Sequence, residues 1–94
     1  MPSQTVTLPN PTGLHARPAR VFAKAAKEYG ADVTVVKDGA GADPVNAKSV
    51  LSVLTLDCHQ GDAITISAHG DDAEDAVREL AALVEAGLGE SEGS

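Results

Sequence analysis

Gly13-Leu14-His15-Ala16-Arg17-Pro18-Ala19 puts an imidazole, a guanidinium and a proline within four consecutive positions. Pro18 has no N–H to lose and its φ suits a first helical turn, so the spacing predicts a helix that begins at His15 or Ala16. At such a helix mouth the free N–H groups and the positive end of the dipole converge on any anion attached to the ring. A neutral imidazole is a competent nucleophile near pH 7, and its two nitrogens divide the work: one attacks while a hydrogen bond holds the other. A surface helix end contributes only about 0.3–1 kcal/mol per charge, so an anion there is stabilised without being trapped. Arg17 adds a planar cation able to reach phosphoryl oxygens. The pattern fits a histidine that accepts a phosphoryl group reversibly. The plainer reading of the same residues is a surface or capping histidine beside a solubilising arginine.

The charge distribution sharpens this. The chain carries a net −7, yet residues 1–30 hold four basic groups (Arg17, Arg20, Lys24, Lys27) against Glu28 alone, while residues 31–94 hold three against thirteen acids. A local positive field on an acidic body suits an acidic protein partner better than a nucleic acid, which the remainder would repel. One Phe, one Tyr and no Trp leave no aromatic row for stacking on bases. The single cysteine, Cys58, excludes an internal disulfide. Cys58, His59 and His69 show no recognisable ligand spacing, so no metal is expected. Cys58 reads as a loop or core thiol, and His69, beside Gly70, as part of the approach to a helix. The start of the chain has neither a basic nor an apolar signal region, and no apolar run is long enough to span a membrane, so a cytoplasmic monomer is expected.

These 94 residues suffice for one domain, taken as 1–88, with a polar, glycine-rich tail over 89–94. Thr5-Val6-Thr7-Leu8, Val33-Thr34-Val35 and Ile64-Thr65-Ile66-Ser67 alternate apolar and hydroxyl residues, as strands do when only one face is covered. A weaker strand near Pro44-Val45, after the turn signals Asp38-Gly39 and Gly41, would form a hairpin with the second. Ala19, Phe22, Ala23 and Ala26 make the inner stripe of a helix over 16–29, ended by Gly30. Its basic residues form a ridge on another arc. A long helix is predicted over 72–87, with Asp71 and Glu74 as a capping box. A short one is predicted over 47–54 with Asn46 as N-cap. The order β-α-β-β-α-β-α implies an α+β open-faced sandwich: a four-stranded antiparallel sheet with three helices on one face.

The segment 13–19 resembles the active-site signature of the HPr family, the histidine-containing phosphocarriers of the bacterial phosphoenolpyruvate-dependent sugar phosphotransferase system. Asn46-Ala47-Lys48-Ser49 ahead of the short helix, the Gly70-Asp71 start of the last one, and the element order are similar to the family as well, leaving only the tail outside. The resemblance implies that His15 is phosphorylated on Nδ1 by enzyme I and donates to enzyme IIA domains, with Arg17 assisting and no cofactor. It makes Ser49 a regulatory site for an HPr kinase/phosphorylase. Ser52, where a glycine is usual, and an extended 39–43 loop are departures that bear on kinase recognition. It also implies an apolar docking patch of Val50, Leu51 and Leu54, which with Arg20, Lys24 and Lys27 forms an interface apolar at its centre and charged at its rim. Two other readings compete: a regulatory relative acting as a transcriptional co-effector through Ser49, and a protein- or nucleic-acid-binding module using the basic ridge.

Overall fold

Alternation of apolar and hydroxyl side chains builds the sheet, in a computed structural model that describes residues 2–39, 41 and 43–88. The strands are β1 (Ser3–Thr7), β2 (Asp32–Lys37), β3 (Val45–Asn46) and β4 (Ala63–His69). They lie in the order β1-β4-β2-β3, every neighbouring pair antiparallel. Because β1 and β2 both flank β4, they run parallel to each other, and so do β3 and β4 on either side of β2. Each parallel pair needs a crossover, and a helix supplies it. Val6, Val33, Val35, Ile64, Ile66 and Ala68 are buried on one face. On the other, Thr5 and Thr65 are opposite each other in register and their hydroxyls are 2.8 Å apart.

The covered face receives α1 (Ala16–Ala26), α2 (Val50–Leu54) and α3 (Ala73–Glu85). α3 lies across β1 and β4, while α1 packs against α2 and α3. The inner stripe of α1 is Pro18, Ala19, Phe22, Ala23 and Ala26. Phe22 is fully buried, and removing a side chain of that size from water stabilises by roughly 1.5–3 kcal/mol. α3 buries Ala73, Ala76, Val77, Leu80, Ala81 and Val84. It ends at Glu85, two residues short of the predicted end, and beyond it Gly87, with φ of +96°, lets Leu88 N–H reach Leu83 O at 3.0 Å and Gly87 N–H reach Val84 O at 3.0 Å, closing its last carbonyls. The fold class and the element order are those expected from the sequence; the tail, residues 89–94, lies outside the described residues, as do parts of the 39–43 loop.

Helix termini differ from expectation, each for a tertiary or local polar reason. α1 stops at Ala26, not at residue 29, and unwinds through Glu28 N–H to Ala25 O and Tyr29 N–H to Ala26 O. Gly30 is not its cap: its N–H donates at 2.9 Å to Asp72 Oδ2. The Asp71–Glu74 capping box is absent, since Asp72 is the N-cap of α3 and its side chain makes no bond to the helix's own amides. It accepts instead from Gly30 and from Ala31 N–H at 2.8 Å. α2 starts three residues late because Asn46 Oδ1 accepts from Lys48 N–H at 3.0 Å, forming a local turn, and Ser49 takes over as N-cap by accepting from Ser52 N–H. His69 closes β4 opposite Asp32, ahead of the helix approach it was expected to join.

Candidate functional site

Two loops meet at the mouth of α1, and their contacts set the position of His15. Residues 8–14 leave β1 and residues 57–62 return to β4. Leu8 N–H donates to Asp62 O at 2.9 Å, Gly61 N–H to Leu8 O at 2.9 Å, and Leu14 N–H to Cys58 O at 3.1 Å. Gln60 adds a bond to Pro9 O at 2.9 Å, and Asn10, buried, donates to Gly13 O at 2.9 Å. Gly13 is where the loops come closest: with φ at +67°, a Cβ there would lie 2.5 Å from Cys58 O and 2.7 Å from His59 Cα. Only glycine fits. Cys58 and Leu14 are fully buried, so this junction is continuous with the core. Burial pushes the Cys58 thiol above its ordinary range, and it is an unreactive core group.

His15 is the N-cap of α1, with extended backbone at φ −128° and ψ 162°. Ala16 follows at φ +50°, a left-handed conformation that costs a residue with a Cβ about 1 kcal/mol or more. The His15 side chain is 32% exposed and makes no capping bond to the helix amides. With Pro18 lacking an N–H, Ala16 and Arg17 are the opening donors that have no acceptor within the helix. The first turn contains no acid.

Both ring nitrogens of His15 face oxygen. Nδ1 is 3.2 Å from Thr12 O and Nε2 is 3.1 Å from Asp57 Oδ1. A neutral imidazole has one N–H, so it donates to only one of these at a time. His59 lies beside it, ring centroids 5.0 Å apart, with its Nε2 3.6 Å from the same Asp57 oxygen. His59 N–H donates to Asp62 Oδ2 at 2.9 Å. That amide and then Lys37, 3.4 Å away, hold the Asp62 carboxyl below the usual carboxylate range.

Asp57 and His59 are the site residues that sequence reasoning missed. They lie more than forty positions from His15, and a contact across two loops leaves no periodicity to read. The one available signal was the Asp57-Cys58-His59 run itself. Asp57 sits at φ +51°, a conformation that aspartate adopts more readily than most residues.

The other expected residues occupy α1 and α2, which pack together. Arg17, Arg20, Lys24 and Lys27 are all exposed, and among the described residues none of them forms an ion pair. By contrast Lys37 and Arg78 pair with acids, and Lys48 Nζ donates to Tyr29 O at 2.8 Å. On α2, Leu51 is 78% exposed, Val50 and Leu54 are half-buried, and Val53 is in the core. Ser49 is half-buried and its Oγ is engaged as the cap of α2.

Comparison with known proteins adds three observations. The family model described as PTS HPr component phosphorylation site matches residues 2–86. The phosphocarrier protein HPr of Streptomyces coelicolor is 46% identical over 78 residues, 83% of this chain and 82% of that protein, and the HPr-like protein Crh of Bacillus subtilis is 39% identical over 85 residues, 90% and 96% of the two chains. The crystal structure of HPr-C-His from Thermoanaerobacter tengcongensis superposes with a TM-score of 0.89 at 39% identity, covering 98% of this chain and all of that one.

Proposed function

The chain belongs to the HPr family of phosphotransferase-system phosphocarriers, and on that premise we propose that His15 is the residue that takes up and hands on the phosphoryl group. The protein is a carrier and not an enzyme with a substrate of its own. The observation that carries the assignment is a half-exposed imidazole at a helix mouth whose first turn holds an arginine and no acid.

Uptake uses the tautomer with its proton on Nε2, donated to Asp57 Oδ1, which leaves the Nδ1 lone pair as nucleophile. The ring turns Nδ1 from the Thr12 carbonyl toward the donor. The Nδ1–P bond forms as the bond from phosphorus to the donor's nitrogen breaks, and that electron pair stays with the donor. Arg17 and the opening amides of α1 receive the phosphoryl oxygens. Handover reverses the step, with no proton lost from Nε2. The donor is enzyme I and the acceptors are enzyme IIA domains. They dock on the unpaired basic ridge of Arg20, Lys24 and Lys27 and on the apolar patch of Val50, Leu51 and Leu54. The protein works as a cytoplasmic monomer, and among the described residues no helix is long and apolar enough to cross a membrane.

Incubation with phosphoenolpyruvate and enzyme I is expected to add one acid-labile, alkali-stable phosphoryl group that His15→Ala abolishes. Absence of any mark on the folded wild-type chain contradicts the assignment. Ser49 is a second, regulatory acceptor: its hydroxyl already closes α2, so a phosphate there replaces a cap with a dianion inside the docking surface. An ATP-dependent, acid-stable mark lost in Ser49→Ala is the outcome that supports it, and no such mark in the presence of an HPr kinase/phosphorylase opposes it.

A further inference from the structure

His15, Asp57 and His59 each offer one ligand atom, and the three atoms all lie within 4.8 Å of one another. We propose that they form a binding site for a divalent transition ion of the zinc class, and that its occupancy silences His15 as a phosphoryl acceptor. Two imidazoles and a carboxylate are a ligand set that zinc accepts, with the fourth position left to water.

Geometry supports the assignment at two levels. Around a tetrahedral zinc with bonds of about 2.0–2.1 Å, neighbouring ligand atoms are about 3.3–3.4 Å apart. Asp57 Oδ1 is 3.1 Å from His15 Nε2 and 3.6 Å from His59 Nε2, which bracket that value before any adjustment. Behind the ligands, His15 Nδ1 is within hydrogen-bond distance of Thr12 O at 3.2 Å, and the nearest carboxylate oxygen to His59 Nδ1, Asp62 Oδ2, lies at 3.9 Å, one small ring rotation from such a bond. Metal-binding histidines characteristically donate their other N–H to a carbonyl or a carboxylate, which fixes the tautomer. With both protons on Nδ1, two Nε2 lone pairs and an anionic oxygen point into one small space. That arrangement is repulsive until a cation enters it.

The loops hold this geometry in place. The Leu14 bond to Cys58 O and the close approach at Gly13 keep residues 57–59 against the mouth of α1. His59 is tied at its backbone to Asp62. Two of the three ligands are exposed, so the ion has a direct path in.

The consequence for phosphoryl transfer rests on the function proposed above. The carrier needs the proton on Nε2 and the lone pair on Nδ1. An ion on Nε2 imposes the opposite tautomer, in which Nδ1 carries the proton, bonds Thr12 O and cannot attack phosphorus. Proton and metal compete for one nitrogen, and no net proton is released when one neutral tautomer replaces the other.

The test uses the full chain without an affinity tag. Titration with zinc chloride against a chromophoric chelator is expected to show one ion per chain, weakened more than about tenfold in His59→Ala and in Asp57→Ala and unchanged in His69→Ala. Equal binding by wild type and His59→Ala, or no competition with the chelator, overturns the site. Phosphorylation by phosphoramidate, a small-molecule donor, then reads the consequence. Zinc is expected to suppress it in wild type, EDTA to restore it, and His59→Ala to be insensitive to zinc. Undiminished phosphorylation of the zinc-loaded wild type overturns the silencing. If the metal-free chain takes no phosphoryl group on His15, the carrier reading fails while the zinc titration stands on its own.

Discussion

The mouths of α1 and α3 are built from opposite materials. α3 opens with Glu74 and Asp75 in its first turn, so its dipole is answered by its own acids, and its N-cap carboxylate is committed to the amides of Gly30 and Ala31. α1 opens with no acid, with Arg17 in the place where a helix of ordinary design carries an acid, and with a histidine cap that leaves the amides alone. The α3 mouth is a joint of the fold. The α1 mouth is an open site with no acid in its own first turn, which stability alone does not account for, and Ala16 at φ +50° adds backbone strain beside it.

If that contrast is functional, charge reversal separates stability from activity. Arg17→Glu places an acid where the α1 dipole favours one, so the fold is expected to gain about 0.3–1 kcal/mol in urea unfolding. Phosphoryl uptake on His15 should fall at least about a hundredfold. Uptake at the wild-type rate removes Arg17 from the site.

Gly13→Ala strikes the loop junction that the α1 mouth depends on. With φ at +67° and backbone within 2.7 Å of the new Cβ, it is expected to cost about 2 kcal/mol, read as a lower urea midpoint. An unchanged midpoint would mean the 57–62 loop is not held against His15.

Next in size is the joint at α3. Hydrogen bonds from Gly30 and then Ala31 hold the Asp72 carboxyl below the usual carboxylate range. A depressed pKa stabilises the fold fully above the unfolded-state value and ceases to do so as pH falls through the folded one. Thermal stability should therefore decline as acid enters and passes below the ordinary aspartate range, and Asp72→Asn should flatten that acid limb while lowering Tm at pH 7. Identical acid profiles would contradict the joint. Smallest of all, Glu74→Gln removes one charge from the α3 mouth and should lose only about 0.3–1 kcal/mol, with phosphoryl uptake unchanged.

Local chemistry made much of this visible from the chain alone. Period-two hydroxyl alternation marked β1, β2 and β4 because each has one covered face, and Pro18 marked the start of α1 because only a first turn tolerates it. The helix boundaries at Gly30, Asn46 and Asp71 were misread for one reason: polar groups with several available partners were assigned the nearest. Asn46 chose a turn to Lys48, and Asp72 reached across to Gly30, forty-two residues away. Asp57 and His59 were illegible as companions of His15 because their link runs through loop stitching that no window of sequence contains.

The most direct measurement is NMR of the nitrogen-15 labelled chain before and after phosphorylation. The expected result is phosphorus coupling to His15 Nδ1, with the Ala16 and Arg17 amides shifted by the incoming oxygens and those of Glu74 and Asp75 unmoved. Phosphorus on another residue, or α1 opening amides that do not respond, would contradict the account.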